Sequence, residues 1–283
     1  MRYGFVVPYA DSRDFAEVAT LGEQHGWDGV FTWEALWGVD AWVTLGAAAM
    51  VTERVRLGTL LTPVSRWKPW DLATRVGTVD RLSDGRAVMG AGLGALHEGW
   101  TAFEADEGRR TRAEKVDECL AIYDGLMRGQ PFSYEGRHYS ARPTDFMPPD
   151  RPVQRPRPPV WMVGAYVVGR ERQPSLDRAA RWDGLLTQVI GPDSRDKAGS
   201  PEELAAVVDL VLTRRDEQGL PRDGYDVVVE ADSTGEFVQL DPPDPTAWAD
   251  AGATWWIESW WTLPRGEDGL AELRRRVCAG PPA

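Results

Sequence analysis

Apolar and polar positions along this chain fall into blocks whose period switches nearly from end to end. Short apolar runs of the strand kind cover Arg2–Pro8, Asp28–Glu34, Val55–Val64, Arg86–Gly92, Pro159–Gly164, Gly184–Val189, Tyr225–Ala231 and Ala253–Trp261. Between them, apolar residues recur at steps of three and four, the spacing of one helix face. The clearest such stretch is Arg110–Arg128, with Val116, Cys119, Leu120, Tyr123, Leu126 and Met127 on one stripe. Further helices are predicted after Asp11-Ser12, over Asp40–Thr52, Trp70–Ser83 and Ser175–Trp182, from Ser200 to near Gly219, and over Thr246–Gly252 and Gly269–Cys278. Ser200-Pro201-Glu202-Glu203 has the form of a capping box with proline at the first helical position.

Eight strand–helix pairs in 283 residues match the count and size of a (β/α)8 TIM barrel. A doubly wound sheet fits fewer strands. Residues 1–283 are therefore expected to form one α/β domain. Gly129–Pro158 breaks the alternation: it has many prolines and no helical period. It is predicted to be an excursion between the fourth helix and fifth strand, with a short hairpin around Glu135-Gly136-Arg137.

Composition narrows the function classes. The chain is 42% hydrophobic and 27% charged, as in ordinary soluble globular proteins. No apolar run reaches the ~18 residues of a membrane span, and the first run is too short for a signal peptide. Cys119 and Cys278 are the only cysteines and both lie in helix-like segments, so a reducing cytoplasm is expected. A net charge of −12 argues against binding nucleic acid or an anionic membrane. There is no H-E-x-x-H, paired C-x-x-C or histidine cluster, so no metal site is expected. The G-x-S-x-G elbow and the Walker A loop are absent too.

Barrels and open α/β sheets hold ligands in the loops after their strand ends. After the fourth strand comes Gly90-Ala91-Gly92-Leu93-Gly94-Ala95, loosely of dinucleotide form. That fingerprint belongs after a first strand, so the loop reads instead as a wall for a flat ligand, or as a packed strand end. His97 follows it and is the histidine best placed for proton transfer. Glu34 ends the second strand, where a carboxylate serves as an acid–base group or as a helix-turn charge. Glu258 shares a strand face with Thr254, Trp256 and Trp260 and is a buried-carboxylate candidate. Fourteen tryptophans fill cores or wall flat-ligand pockets.

The segments TERVRLGTLLTPVSRWKPWDLATRVGTVDRLSDGRAVMGAGLG, RPVQRPRPPVWMVG and RAARWDGLL resemble the luciferase-like, flavin-dependent oxidoreductases. The resemblance runs from Arg2 to about Trp261. It implies a barrel that binds FMN or the deazaflavin F420 at the strand C-termini, and a homodimer. It implies a monooxygenase that uses reduced FMN and oxygen on a small organic substrate, with a separate flavin reductase as partner. The alternatives are hydride transfer with F420, a non-catalytic flavin-binding barrel, and a non-flavin barrel such as a sugar-phosphate enzyme.

Carried over by residue, Leu60, Leu61 and Thr62 would lie along the isoalloxazine, followed by Gly92, Gly94 and His97. Gly164, Ala165, Tyr166 and Arg170 would lie toward the ribityl phosphate. Trp33, Trp37, Trp260 and Glu258 would line the substrate pocket, with His97 and Glu34 managing protons. Family members commonly carry an Asp-His pair at the second strand, where this chain has Trp33-Glu34-Ala35. That departure weakens an aldehyde monooxygenase assignment.

Overall fold

The computed structural model describes residues 1–95, 99–191, 199–234 and 244–282. Eight parallel strands close into a barrel: β1 (Arg2–Val6), β2 (Gly29–Thr32), β3 (Arg56–Pro63), β4 (Ala87–Gly92), β7 (Val160–Val167), β8 (Gly184–Ile190), β9 (Asp226–Ala231) and β10 (Trp255–Ser259). Neighbours in sequence are neighbours in the barrel, and β10 pairs with β1 to close it. Eight α-helices form the outer ring: α1 (Ser12–Gln24), α2 (Ala41–Ala49), α3 (Pro69–Leu82), α4 (Arg109–Arg128), α5 (Pro174–Ala179), α6 (Pro201–Glu217), α7 (Pro245–Asp250) and α8 (Glu267–Cys278), among the described residues. The predicted (β/α)8 barrel is the observed fold.

Strand alternation divides the core in two. Val6, Phe31, Val88, Trp161, Leu186, Val228, Trp255 and Ile257 fill the barrel interior. Phe31, Trp161 and Trp255 pack on one another with ring centroids 5.2–6.0 Å apart. Three rings that large fit only beside small neighbours: a Cβ on Gly29 would sit 2.8 Å from Phe31 and 3.0 Å from Trp255. The indoles of Trp161 and Trp255 donate to Asp226, at 3.1 and 3.2 Å, so burial leaves neither N–H unpaired. The opposite strand faces pack against the helices, as Phe5, Val30, Leu57, Met89 and Trp256 do.

The excursion sits between α4 and β7, as predicted. Its hairpin is shorter than expected, with β5 (Tyr134–Glu135) paired to β6 (Ser140–Ala141). Two carboxylates fasten the segment to the helices. Glu118 of α4 accepts the backbone N–H groups of Arg137, His138 and Tyr139, each at 2.9 Å. Buried Asp80 of α3 accepts from Val153 N at 2.7 Å, Gln154 N at 3.1 Å and Gln154 Nε2 at 2.8 Å.

Predicted helix ends move where a side chain captures carbonyls. Asp40–Thr52 shortens to α2, capped by the Asp40 side chain, because buried Arg86 donates to Ala49 O, Thr52 O and Val55 O. Ser175–Trp182 shortens to α5, and Arg215 takes the carbonyls of Ala180 and Trp182. The capping box at Ser200 and Glu203 is present. Neither cysteine is bridged: Cys278 is exposed, and burial pushes the Cys119 thiol up to about 12. No described helix is long and apolar enough to cross a membrane.

Candidate active site

At the C-terminal end of the barrel, β3 breaks its own alternation. Its register against β4 shifts between Thr59 and Thr62, a bulge that re-aims side chains. Leu60 and Leu61 both pack toward the interior cluster, and the peptide between them is cis. A Cβ on Gly92 would lie 3.0 Å from Leu61, so the glycine leaves the leucine a flat neighbour at the mouth. Thr62 turns away and is fully buried, bonded to Thr59 Oγ1 at 2.9 Å and donating to Glu34 Oε1 at 2.6 Å.

Glu34 is the centre of that second network. Its carboxylate accepts from Thr62, from Trp42 Nε1 at 2.7 Å and from Trp67 Nε1 at 2.8 Å. Burial raises its pKa, and these three hydrogen bonds oppose the rise. One side chain thus joins the end of β2 to α2, to β3 and to the loop before α3. A carboxylate committed to three donors positions its surroundings, so the acid–base role expected of Glu34 gives way to a positioning role. Thr62, expected along the ring, is spent in the same network.

A cleft of about 920 Å³ opens beside β1, β2 and the loop before α8, and Trp33 and Trp37 line it. Trp33 is shared between the cleft and the barrel mouth. Its Nε1 donates to Pro8 O at 2.7 Å, and its ring meets Trp261 edge-to-face at 5.8 Å. Trp261 Nε1 donates in turn to Glu230 Oε1 at 2.8 Å. Glu230 is two residues beyond inward-facing Val228, so alternation turns it into the mouth. Sequence reasoning missed Glu230 and Trp261; the signal available was a glutamate next to the last residue of the strand DVVVEA, after three valines.

A smaller pocket of about 290 Å³ lies between β7 and the starts of α4 and α5, lined by Leu93, Ala165, Val167 and four arginines. Arg178 is bound to Asp117 at 2.8 and 2.9 Å. Arg109, Arg170 and Arg172 are exposed, and their guanidinium groups pair with no carboxylate among the described residues. Buried Gln173 braces the loop that carries Arg170, accepting from Val167 N at 3.0 Å and donating to Val167 O and Arg170 O at 2.8 and 2.9 Å.

The structure thus groups the expected residues unevenly. Leu61 and Gly92 meet at the mouth, Trp33 and Trp37 line the cleft, and Ala165 and Arg170 line the arginine pocket. His97 lies outside the described residues. Gly94 is in the left-handed region, against Pro63, and its carbonyl accepts from Arg112 at 3.0 Å. Four expectations are corrected by strand alternation. A Cβ on Gly164 would meet Leu185 and Leu176 in the helix layer, and Tyr166 packs on the same side. Glu258 is wholly buried there, accepting from Trp256 Nε1 and Ser233 N. Trp260 packs between Phe5, Trp27 and Arg276 of α8, so neither it nor Glu258 lines a substrate pocket.

A parallel (β/α)8 barrel with its pockets at the strand C-termini has the architecture of a small-molecule enzyme. The model of the luciferase-like monooxygenase family matches residues 3–256, and the chain belongs to that family. It is 30% identical over 216 residues to an F420-dependent glucose-6-phosphate dehydrogenase from Beutenbergia cavernae, covering 71% of this chain and 62% of that one. An enzyme of the same name from Microbacterium testaceum is 30% identical over 246 residues, covering 81% and 67%. The chain thus spans about two thirds of these relatives' length. In structure it matches a monooxygenase from Streptomyces bottropensis with a TM-score of 0.72, covering 98% of each chain at 19% identity, which is a likeness of fold.

Proposed function

We propose that the protein is an F420-dependent oxidoreductase that exchanges a hydride with a small organic substrate. The observation that carries this is the trio Arg109, Arg170 and Arg172. A chain of net charge −12 gathers three guanidinium groups around one pocket, and among the described residues no carboxylate pairs with them. Like charges held together are costly unless an anion joins them, and guanidinium is the group best matched to phosphate. The donor set therefore fits a phosphate-bearing cofactor, and the relatives' dependence on F420 favours that one. When bound, the deazaflavin supplies two-electron hydride chemistry.

The chain's own residues supply the rest. Arg109, Arg170 and Arg172 hold the phosphate, and Gln173 fixes the backbone behind Arg170. Leu61 and Gly92 offer an apolar surface at the mouth. Trp33 and Trp261 exclude water there. Glu230, its Oε1 taken by Trp261, has no partner for Oε2 among the described residues and offers that oxygen as a hydrogen-bond acceptor to the substrate at the mouth.

Fluorescence titration of the purified protein with F420 and, separately, with FMN tests the reading. F420 is expected to bind, and Arg170→Ala and Arg172→Ala each to weaken it about tenfold or more, since a hydrogen bond to a charged group contributes ~1.5–3 kcal/mol. The guanidinium trio suits the phosphate of FMN as well, so an FMN monooxygenase supplied by a separate reductase is the second reading. Binding of FMN in preference to F420 would select it, and binding of neither would remove both.

A further inference from the structure

The cleft beside Trp33 and Trp37 has a chemical character of its own. Its walls are mainly apolar or aromatic, with Val7, Pro8, Tyr9, Phe15, Trp33 and Trp37 among them. About 920 Å³ lies at the large end of the range for small-molecule sites, ~300–1,000 Å³. Among the described residues its charged groups are three carboxylates, Asp11, Asp14 and Glu267, and one guanidinium, Arg265. Asp11 caps α1, accepting from Arg13 N at 2.7 Å and Asp14 N at 3.0 Å, and those backbone donors hold it below the usual carboxylate range. Asp14 is paired with Arg274 at 3.1 Å. Arg265 lies over the ring of Tyr9, 4.9 Å from its centroid.

An anionic substrate entering this cleft meets more negative charge than positive, in contrast to the arginine pocket. Trp37 adds an independent sign. It is 87% exposed and takes a left-handed backbone, φ 45°, which few non-glycine residues adopt. Its ring meets the exposed Phe103 at 6.0 Å, leaving a broad aromatic surface on the cleft rim.

We infer that this cleft binds a neutral, ring-bearing organic molecule and rejects phosphorylated and carboxylated ones. As the substrate site of the enzyme, it rests on the oxidoreductase reading above. It also sets this chain apart from relatives named for glucose-6-phosphate.

Calorimetric titration of the full chain tests the inference with three probes: fluorenone, a fluorenone carboxylic acid, and glucose-6-phosphate. Fluorenone is expected to bind at least tenfold more tightly than either anion, and Trp37→Ala to weaken it about tenfold. Glu267→Gln should narrow the gap between the neutral and carboxylated ring probes. Tighter binding of glucose-6-phosphate, equal binding of the two ring probes, or no effect of Trp37→Ala would overturn it. Circular dichroism of each variant confirms that a loss is not unfolding. The F420 and FMN titrations are read separately, so fluorenone binding without binding of either cofactor would end the oxidoreductase reading and leave the cleft assignment standing. F420 binding without fluorenone binding would do the reverse.

Discussion

Glu34 illustrates how one side chain at a strand end sets the shape of a site without entering it. Its donors come from three separate segments, so replacing it is expected to loosen all three at once. Glu34→Gln keeps an acceptor but turns an amide donor toward Thr62 or an indole N–H. The expected cost is about 1–3 kcal/mol, read as a lower urea midpoint or a melting temperature lower by about 2–4 °C per kcal/mol. The pH dependence has a definite sign. Burial gives Glu34 a higher pKa in the folded chain than in the unfolded one, against the pull of its hydrogen bonds. The folded state then binds this proton more tightly. The stability linked to it is complete below the unfolded value of about 4.3 and is lost as pH rises through the raised folded value. Wild-type urea midpoints should therefore fall relative to Glu34→Gln across that window. Parallel profiles would show that the site does not titrate as described.

At the level of elements, the βα alternation was legible because both layers of the barrel are written in hydrophobic period. Helix ends were less legible, because Arg86 and Arg215 reach them from 33 or more residues away in sequence. The site was legible only in part. Trp33, Trp37 and Arg170 stand in loops or at strand ends, where position alone indicates the rim. Thr62 and Glu258 looked equally well placed, but a bulge in β3 and strict alternation in β10 turn them away from it. Glu230 went unnoticed because one inward carboxylate in an apolar strand has no motif. The excursion shows the same dependence on distant partners. Asp80→Ala would remove the acceptor of three part-buried hydrogen bonds from Val153 and Gln154, at an expected cost of about 1–3 kcal/mol. Faster limited proteolysis within residues 129–158 should accompany it, and Asp80→Asn should recover part of the loss by keeping one acceptor. A change below about 0.5 kcal/mol in Asp80→Ala would show that the excursion is held elsewhere.

On the scale of the whole molecule, the helix ring is not polar all round. Val43 and Met50, 65% and 68% exposed, lie seven residues apart and so share one stripe of α2 and its C-cap. Gly46 falls between them, and a Cβ there would be 3.6 Å from the exposed Leu82 of α3. A stripe that is apolar and spread over two adjacent helices suits another surface of the same kind, and a twofold pairing makes one patch serve both sides. A second copy of this chain is the expected occupant, in keeping with the dimers that the family resemblance implies. Each protomer carries a net charge of −12, so repulsion opposes the pairing and salt screens it. Light scattering behind size exclusion should give a dimer whose dissociation increases as salt is lowered. Val43→Glu should give a monomer at every salt concentration, because it places two carboxylates in the middle of the contact. A wild-type monomer, or a dimer indifferent to Val43→Glu, would assign this stripe no part in assembly.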